Sequence, residues 1–437
     1  MDRAIDGLGR LQSAEHRDAA AALMAGHALS WDPVTGRLIS RTDPTGNGTD
    51  YGYDDAGRLA DKTFADGTQV SYEYNALGEL TSAADANGSV TVITPDALGR
   101  AVNMAIAPGS GVSTDATFVD FRYDGAGSVV YGANDDSVVR RVFDSRGLAR
   151  SETLQWTVGT AASVTTPFEY DVRGSLAQVQ YPVSGATIAY TQDALGFIDE
   201  LTELGQGLIA SYDYRGPGRV ERRTLHGNDT RTDYAFDGRG RTVGTTHLDI
   251  PTSAVFDDRA YAWDRVNNKL TRTELDPVTG LPVLTHSYQY DALDRMEQST
   301  RTSAGQSGTS IDYTLDASGN RTLVAGGPAP GAYTPTQPPL SRVHEYASTP
   351  VAPYTRTHDE NGNFLGGQPG VDETLTYDAF NRLVGYSGAG GSPSAQYTYD
   401  AFGRRIQTIV VDASGAVTTR YVYHGDRVIE EVDEAAT

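Results

Sequence analysis

The sequence holds no cysteine in its 437 residues. That excludes disulfide staples and thiolate metal sites, and it leaves the redox compartment unspecified. Long hydrophobic runs are missing too: no stretch approaches the roughly 18 apolar residues that a membrane-spanning helix needs. The opening residues, Met1-Asp2-Arg3-Ala4-Ile5-Asp6, lack the apolar core and cleavage site of a signal peptide. Basic charge is scarce, with 35 Lys and Arg against 57 Asp and Glu and a net charge of −22. A surface of that sign does not neutralise phosphates, so nucleic acid is not an expected partner, and neither is an anionic membrane. A basic polypeptide partner is compatible with it, as is plain solubility. Catalytic signatures are absent: there is no Gly-x-Ser-x-Gly, no phosphate-binding Lys loop, and no pair of histidines at helical metal spacing among the eight.

Tyrosine and glycine are abundant, at 25 and 48 residues. Together they suit twisted strands joined by tight turns better than helices. They recur in a pattern of aromatic, Asp, two loose positions, Gly, Arg and an aliphatic residue. Tyr399-Asp400-Ala401-Phe402-Gly403-Arg404-Arg405-Ile406 is its cleanest copy, and Tyr53-Asp54-Asp55-Ala56-Gly57-Arg58-Leu59 a second. Tyr377-Asp378-Ala379-Phe380-Asn381-Arg382-Leu383 puts Asn in the Gly slot. From Trp31-Asp32 onward the Asp, or its stand-in, returns at gaps of 20 to 28 residues, most often 21 or 22. Such a period holds two strands of about seven residues and two turns.

The consensus reads as a hairpin tip. Asp accepts a backbone N–H two residues on. Gly three positions later takes positive φ and ends a type I turn with a bulge. Asn381 fits the slot because Asn tolerates that conformation. Before each turn, residues alternate, as in Tyr72-Glu73-Tyr74, Tyr288-Gln289-Tyr290 and Tyr397-Thr398-Tyr399, so the tyrosines line one face. A lone hairpin is marginal, so copies must stack edge to edge. Roughly eighteen copies would give about 36 strands in one continuous antiparallel sheet, which twist forces to coil.

Residues 1–437 therefore read as one repeat ribbon with three departures. Residues 12–30 contain an Ala-rich run, Ala19 to Met24, that predicts a short helix or irregular insertion. Residues 323–357 hold seven prolines, which resist ladder pairing and predict a long extended loop. Residues 397–437 carry a terminal variant of the repeat. The chain opens almost inside a repeat, Asp6-Gly7-Leu8-Gly9-Arg10-Leu11, as a segment of a longer protein would.

Tyr-Asp at hairpin tips, Gly-Arg-Leu after them and a period of about 22 residues resemble the RHS/YD-repeat family. Tyr397 to Asp433 is similar to the start of that family's core region. The resemblance covers nearly the whole chain. It implies an all-β fold, a long antiparallel β-hairpin ribbon coiled into a hollow shell or barrel-like solenoid. It also implies an enclosed or C-terminal effector polypeptide, or further shell segments, as partner, and secreted or cell-surface delivery. The family's core normally continues to an aspartyl self-cleavage motif of Asp-Pro-x-Gly type and a variable toxin. Here the sequence ends at Thr437 before either, and Asp43-Pro44-Thr45-Gly46, near the start, reads as a turn. Neither self-cleavage nor toxin activity is carried over.

The turn positions Tyr53, Asp54, Gly57, Arg58, Tyr377, Asp378, Asn381, Arg382, Tyr399, Asp400, Gly403 and Arg404 are thus structural, and no catalytic residue is assigned. No cofactor or metal is expected. Asp316-Ala317-Ser318-Gly319-Asn320 and Asp359-Glu360-Asn361-Gly362-Asn363 look like calcium loops but place Gly in the hairpin register. Glu430-Glu431 and Asp257-Asp258 point to opposite faces of a strand, so neither pair is aimed at one substrate. The expected function is a non-enzymatic shell segment that encloses or displays a polypeptide such as a toxin domain. The alternative is a polysaccharide-binding protein or polysaccharide lyase with a Tyr/Arg/His-lined groove, since Tyr offers a flat apolar face with a polar tip.

Overall fold

The computed structural model describes residues 2–17, 23–159, 162–335, 346–348, 357–367, 373–391 and 393–435. Among these, 39 strands form, and the remaining regular element is a three-residue 3-10 turn at Ala389–Gly391. Among the described residues the strand pairings are antiparallel and, within each sheet, join strands adjacent in sequence.

The tip chemistry explains why the chain turns where it does. At the second copy, Asp54 N donates to Arg58 O at 2.9 Å and Gly57 N to Asp54 O at 2.8 Å, while Gly57 adopts φ 82°. The register then skips Ala60, pairing Tyr53 with Leu59 but Gly52 with Asp61, which is a bulge. The ribbon turns in the same way at its other edge: Asp43 accepts from Thr45 N and Asn47 N, and Gly46 has φ 94°.

The ladder is not continuous. Twenty-nine strands fall in one sheet, six in a second, and four in two small pairs. The break follows the Pro-rich stretch, where prolines withhold ladder donors. Within it, Arg321–Ala325 and Gly331–Ala332 are strands, and Thr334–Pro335 pairs with Tyr346–Ser348; residues 336–345 and 349–356 lie outside the described residues.

Residues 12–30 depart from the expected helix or irregular insertion. Leu11–Arg17 and Leu23–Trp31 are strands that pair Ser13 with Ala28 and His16 with Ala25; residues 18–22 lie outside the described residues. Each strand also has a second partner, Asp2–Ile5 and Leu38–Thr42 respectively. Ladder bonds on both sides outweigh the tenths of a kcal/mol per residue that separate helix propensities.

The chain also divides into two compact units rather than one body. One comprises Met1–Thr165, Leu315–Thr322 and Ala332–Thr437; the other Thr166–Thr314 and Leu323–Gly331. A ribbon whose strands touch only their neighbours is held as a body where a distant segment returns to it. In the second unit the strands simply follow one another, with Phe168, Val179, Ile188, Ala210 and Leu248 buried. In the first unit a distant segment does return. Its labelled strands are β1 (Phe118–Tyr123), β2 (Val129–Asn134), β3 (Ser137–Phe143), β4 (Ala149–Trp156), β5 (Thr374–Tyr377), β6 (Leu383–Ser387), β7 (Ser394–Tyr399), β8 (Arg405–Asp412), β9 (Gly415–His424) and β10 (Arg427–Ala435). Strands β5 to β10 form the six-stranded sheet in sequence order. That sheet meets β3 and β4 in a shared core of Val139, Leu154, Trp156, Ile406, Val422 and Tyr423.

Candidate functional site

Each tip residue serves the next hairpin as well as its own. The tip tyrosine donates its hydroxyl to the carbonyl that follows the preceding tip's Arg: Tyr53 to Leu38 O at 2.9 Å, Tyr74 to Leu59 O at 3.0 Å, Tyr399 to Leu383 O at 2.8 Å and Tyr423 to Arg405 O at 2.6 Å. Where Trp takes the slot, the indole N–H does the same, from Trp31 to Leu11 O and from Trp263 to Thr242 O. The tip arginine holds its own Asp and lies over the next tip's ring, Arg58 on Tyr74 at 4.7 Å and Arg100 on Tyr123 at 4.3 Å. Its remaining donors reach the next tip's backbone, as Arg58 Nη1 does to Asn75 O at 3.0 Å. A cation over a ring and a charge-assisted hydrogen bond thus recur at successive joints. The tip tyrosine hydroxyls and the arginines that would line a sugar-binding groove are committed to these joints.

The three copies singled out in the sequence stand in different surroundings. Asp54 and Arg58 form a partly exposed pair at 2.7 Å. At the Tyr377 copy, Asp378 is buried, Arg382 Nε donates to it at 2.7 Å, and Asn381 holds φ 60°. At the Tyr399 copy, Asp400 and Arg404 are both buried, at 0% and 7% exposure, and Gly403 has φ 81°. This last tip sits on β2 to β4.

Burial of a charged tip requires partners, and Glu152 supplies them. Its carboxylate joins two guanidiniums, Arg404 Nη1 at 2.9 Å and Arg141 Nε at 2.7 Å. Arg404 also bonds Asp400 through Nε at 2.7 Å and Gly425 O through Nη1 at 2.8 Å. Burial works against the Arg404 charge, but Asp400 and Glu152 outweigh it and raise its pKa. Burial likewise raises the Tyr399 and Tyr423 phenols and lowers the His424 imidazole.

Apolar and neutral contacts complete the junction. Phe402 lies under the Arg141 guanidinium at 3.9 Å and beside Phe121 at 5.7 Å. Trp156, 1% exposed, donates its indole N–H to Ile406 O at 3.2 Å. Asn134 caps the β2–β3 turn through Oδ1, which accepts from Ser137 N, and spends its Nδ2 on Tyr399 O at 2.8 Å. An aspartate there could not make that second bond.

Two turns of the first unit, far apart in sequence, also clasp each other. Ala86 N donates to Asn361 Oδ1 at 3.1 Å, and Asn361 N returns the bond to Asn87 Oδ1 at 3.2 Å. Asn87 Nδ2 reaches Asp359 at 3.0 Å, and Asn361 Nδ2 reaches Asp85 at 2.7 Å. The carboxylates of the Asp316 and Asp359 loops are taken up by donors of their own turns: Ser318 N and Asn320 N for one, Asn361 N and Asn363 N for the other.

Beside the junction lies a cleft of about 460 Å³ lined by Asp115, Asp136, Thr376, Gln396, Gln407 and Ile409, among others. Burial, with Asp135 and Asp115 nearby, pushes Asp136 up to about 6.

The repeat pattern does not mark Asn134, Asp136, Glu152, Trp156 or Gln407. One signal was legible. Trp31 and Trp263 precede an Asp in the tip slot, whereas Trp156 precedes Thr157 and breaks the repeat. Glu152 and Gln407 occupy ordinary alternating strand positions and carry no such mark.

Ladder-paired hairpins with bolted Tyr-Asp tips define a β-hairpin repeat protein. The RHS repeat profile matches residues 31–69, 53–91 and 377–417. The probable deoxyribonuclease RhsB of Dickeya dadantii is 31% identical over 150 residues, 31% of this chain and 10% of that protein. A crystal structure of TcdB2–TccC3–Cdc42 superposes with a TM-score of 0.80 at 18% identity, covering 100% of this chain and 24% of that one. The Tc holotoxin pore of Photorhabdus luminescens gives 0.77 at 17% identity, over 99% of this chain and 24% of that one. At such identity the two structures speak to fold. The chain thus carries RHS repeats over those residues and shares the fold of these structures. It spans about a tenth of the length of the RhsB relative and about a quarter of the matched solved chains.

Proposed function

We propose that this chain is a structural wall segment that encloses a polypeptide and acts by steric exclusion rather than catalysis. The observation that carries this reading is the buried junction of the Tyr399 tip with Glu152 and Trp156, which fastens a late hairpin of the ribbon to earlier ones. A fastened ribbon resists fraying, as a wall must; a ribbon with free ends does not. The fold likeness to TcdB2–TccC3 supports it, and the net charge of −22 suits a basic cargo. The nuclease name of the RhsB relative is not transferred, because the alignment covers a tenth of that protein.

The test is protease protection. A protease-sensitive basic polypeptide joined to the chain, within its full natural protein, is digested with thermolysin. Protection is expected, with release on Arg404→Ala. Digestion at the rate of the free polypeptide overturns the proposal.

A further inference from the structure

The cleft beside the junction has a surplus of carboxylate that the nearby Arg382 offsets only in part. Its walls come from the β2–β3 tip and the segment before β1 on one side, and from β5 to β8 on the other. The neighbouring carboxylates differ in what they hold. Asp135 accepts from Thr117 N at 2.7 Å, from Thr117 Oγ1 and from Phe118 N. Asp378 is matched by Arg382. Asp136, partly buried, makes no side-chain hydrogen bond or ion pair among the described residues, and the exposed Asp115 adds a further negative charge nearby.

A second, independent observation comes from the opposite wall. Gln407 is 4% exposed, and its Oε1 is buried without a hydrogen-bond partner. Alternation along β8 explains its direction: Ile406 enters the apolar core, so Gln407 faces the other side, where it lines the cleft. A buried acceptor left unpaired costs about 1–3 kcal/mol, so a ligand donor placed there is rewarded. The cleft therefore offers a carboxylate and a neutral carbonyl, two acceptors and excess negative charge. No group of three His, Cys, Asp or Glu among the described residues is gathered closely enough for a metal ion. An organic cation with several donors fits better. A planar guanidinium carries five N–H donors in a fixed fork, more than the three of a compact ammonium.

We infer that this cleft is a binding site for a guanidinium group, received as an arginine side chain of the enclosed polypeptide between Asp136 and Gln407. The identity of the occupant rests on the enclosure proposed above; the guanidinium site itself does not.

The experiment is calorimetric titration of the full chain at pH 7.5 with acetyl-Gly-Arg-Gly-amide and with its citrulline counterpart, which keeps the shape and loses the charge. Binding of the arginine peptide is expected, with at least tenfold weaker binding of the citrulline peptide. Asp136→Asn is expected to lose tenfold or more in affinity while melting no lower than the parent, because it removes a charge that is offset only in part. Those opposite signs separate a lost site from a lost fold. Gln407→Met, which keeps the volume and removes the carbonyl, is expected to weaken binding severalfold. Equal binding of the two peptides, or unchanged affinity in Asp136→Asn, overturns the site. Guanidinium binding without protease protection leaves the site standing and removes only the enclosed occupant. Protection without guanidinium binding does the reverse.

Discussion

Glu152 Oε1 and Arg404 Nη1 stand 2.9 Å apart in the first unit, each residue no more than 7% exposed, although more than half of the chain separates them in sequence. The pair joins an ordinary strand position to a repeat tip. At the Asp54–Arg58 tip the corresponding ion pair remains partly exposed and closes nothing.

Arg404→Ala leaves the buried Asp400 without its guanidinium and Glu152 with Arg141 alone. Removing one member of a buried ion pair costs about 3–5 kcal/mol. The expected result is a large fall in melting temperature, with accelerated amide exchange in β4 and β8. Glu152→Gln is expected to cost less, because Arg404 keeps Asp400. A melting temperature within a degree of the parent for Arg404→Ala would contradict the lock.

Tyr74 and Tyr72 separate the joint from the sheet face. Tyr74 donates to Leu59 O at 3.0 Å, whereas the Tyr72 hydroxyl has no partner among the described residues and its ring lies under Lys62. Tyr74→Phe is expected to destabilise by about 1 kcal/mol, and Tyr72→Phe by nearly nothing. Thermal denaturation of the two variants side by side checks the contrast.

Gly132 is a packing constraint, since its φ is not positive. A Cβ there would stand 2.9 Å from Phe402 Cε2 and 3.3 Å from Ala401 Cβ. Gly132→Ala is expected to cost about 1–3 kcal/mol by overpacking. Adding Phe402→Leu, which shortens the ring, should recover part of that loss in a double-mutant cycle.

The carboxylates impose two opposite pH dependences. Asp54 and Asp96 titrate below the usual 3.8, Asp54 chiefly through the Arg58 backbone N–H and Asp96 chiefly through the Arg100 side chain. Their stabilisation is present above 3.8 and is lost as pH falls through their folded values. Asp136 lies at about 6, so its folded form binds the proton more tightly. Its contribution is fully present below 3.8 and is lost as pH rises through about 6. The depressed imidazoles of His286 and His424, both lowered mainly by burial, run the other way in the same window. The Asp136 effect therefore appears in the difference between parent and Asp136→Asn. The variant's relative advantage in melting temperature is expected at pH 7.5 and should vanish near pH 4. A constant offset across that range would show that Asp136 is not titrating there.

The tips and the all-β repeat are legible in residue order alone, because that chemistry is local. Asp, Gly and Arg meet within five residues, so Asp54, Gly57 and Arg58 reveal their turn wherever it lies. Stacking followed from the period. Even so, the Tyr slot read only as a strand face, because its hydroxyl partner lies about a repeat away, on the preceding hairpin. The described parts of residues 12–30, expected as an insertion, are ladder strands for a related reason. Helix propensity is a property of the segment alone, and ladder bonds to Asp2–Ile5 and Leu38–Thr42 are not. Which tip is buried, and by what, depends on the folded arrangement of distant strands. Trp156 and Ile406 meet across 250 residues, and the same return of the chain turns a common Glu, a common Gln and one repeat among many into the junction and its cleft. Sequence patterns record the periodic contacts that every hairpin makes; a contact made once, between distant strands, leaves no period to read.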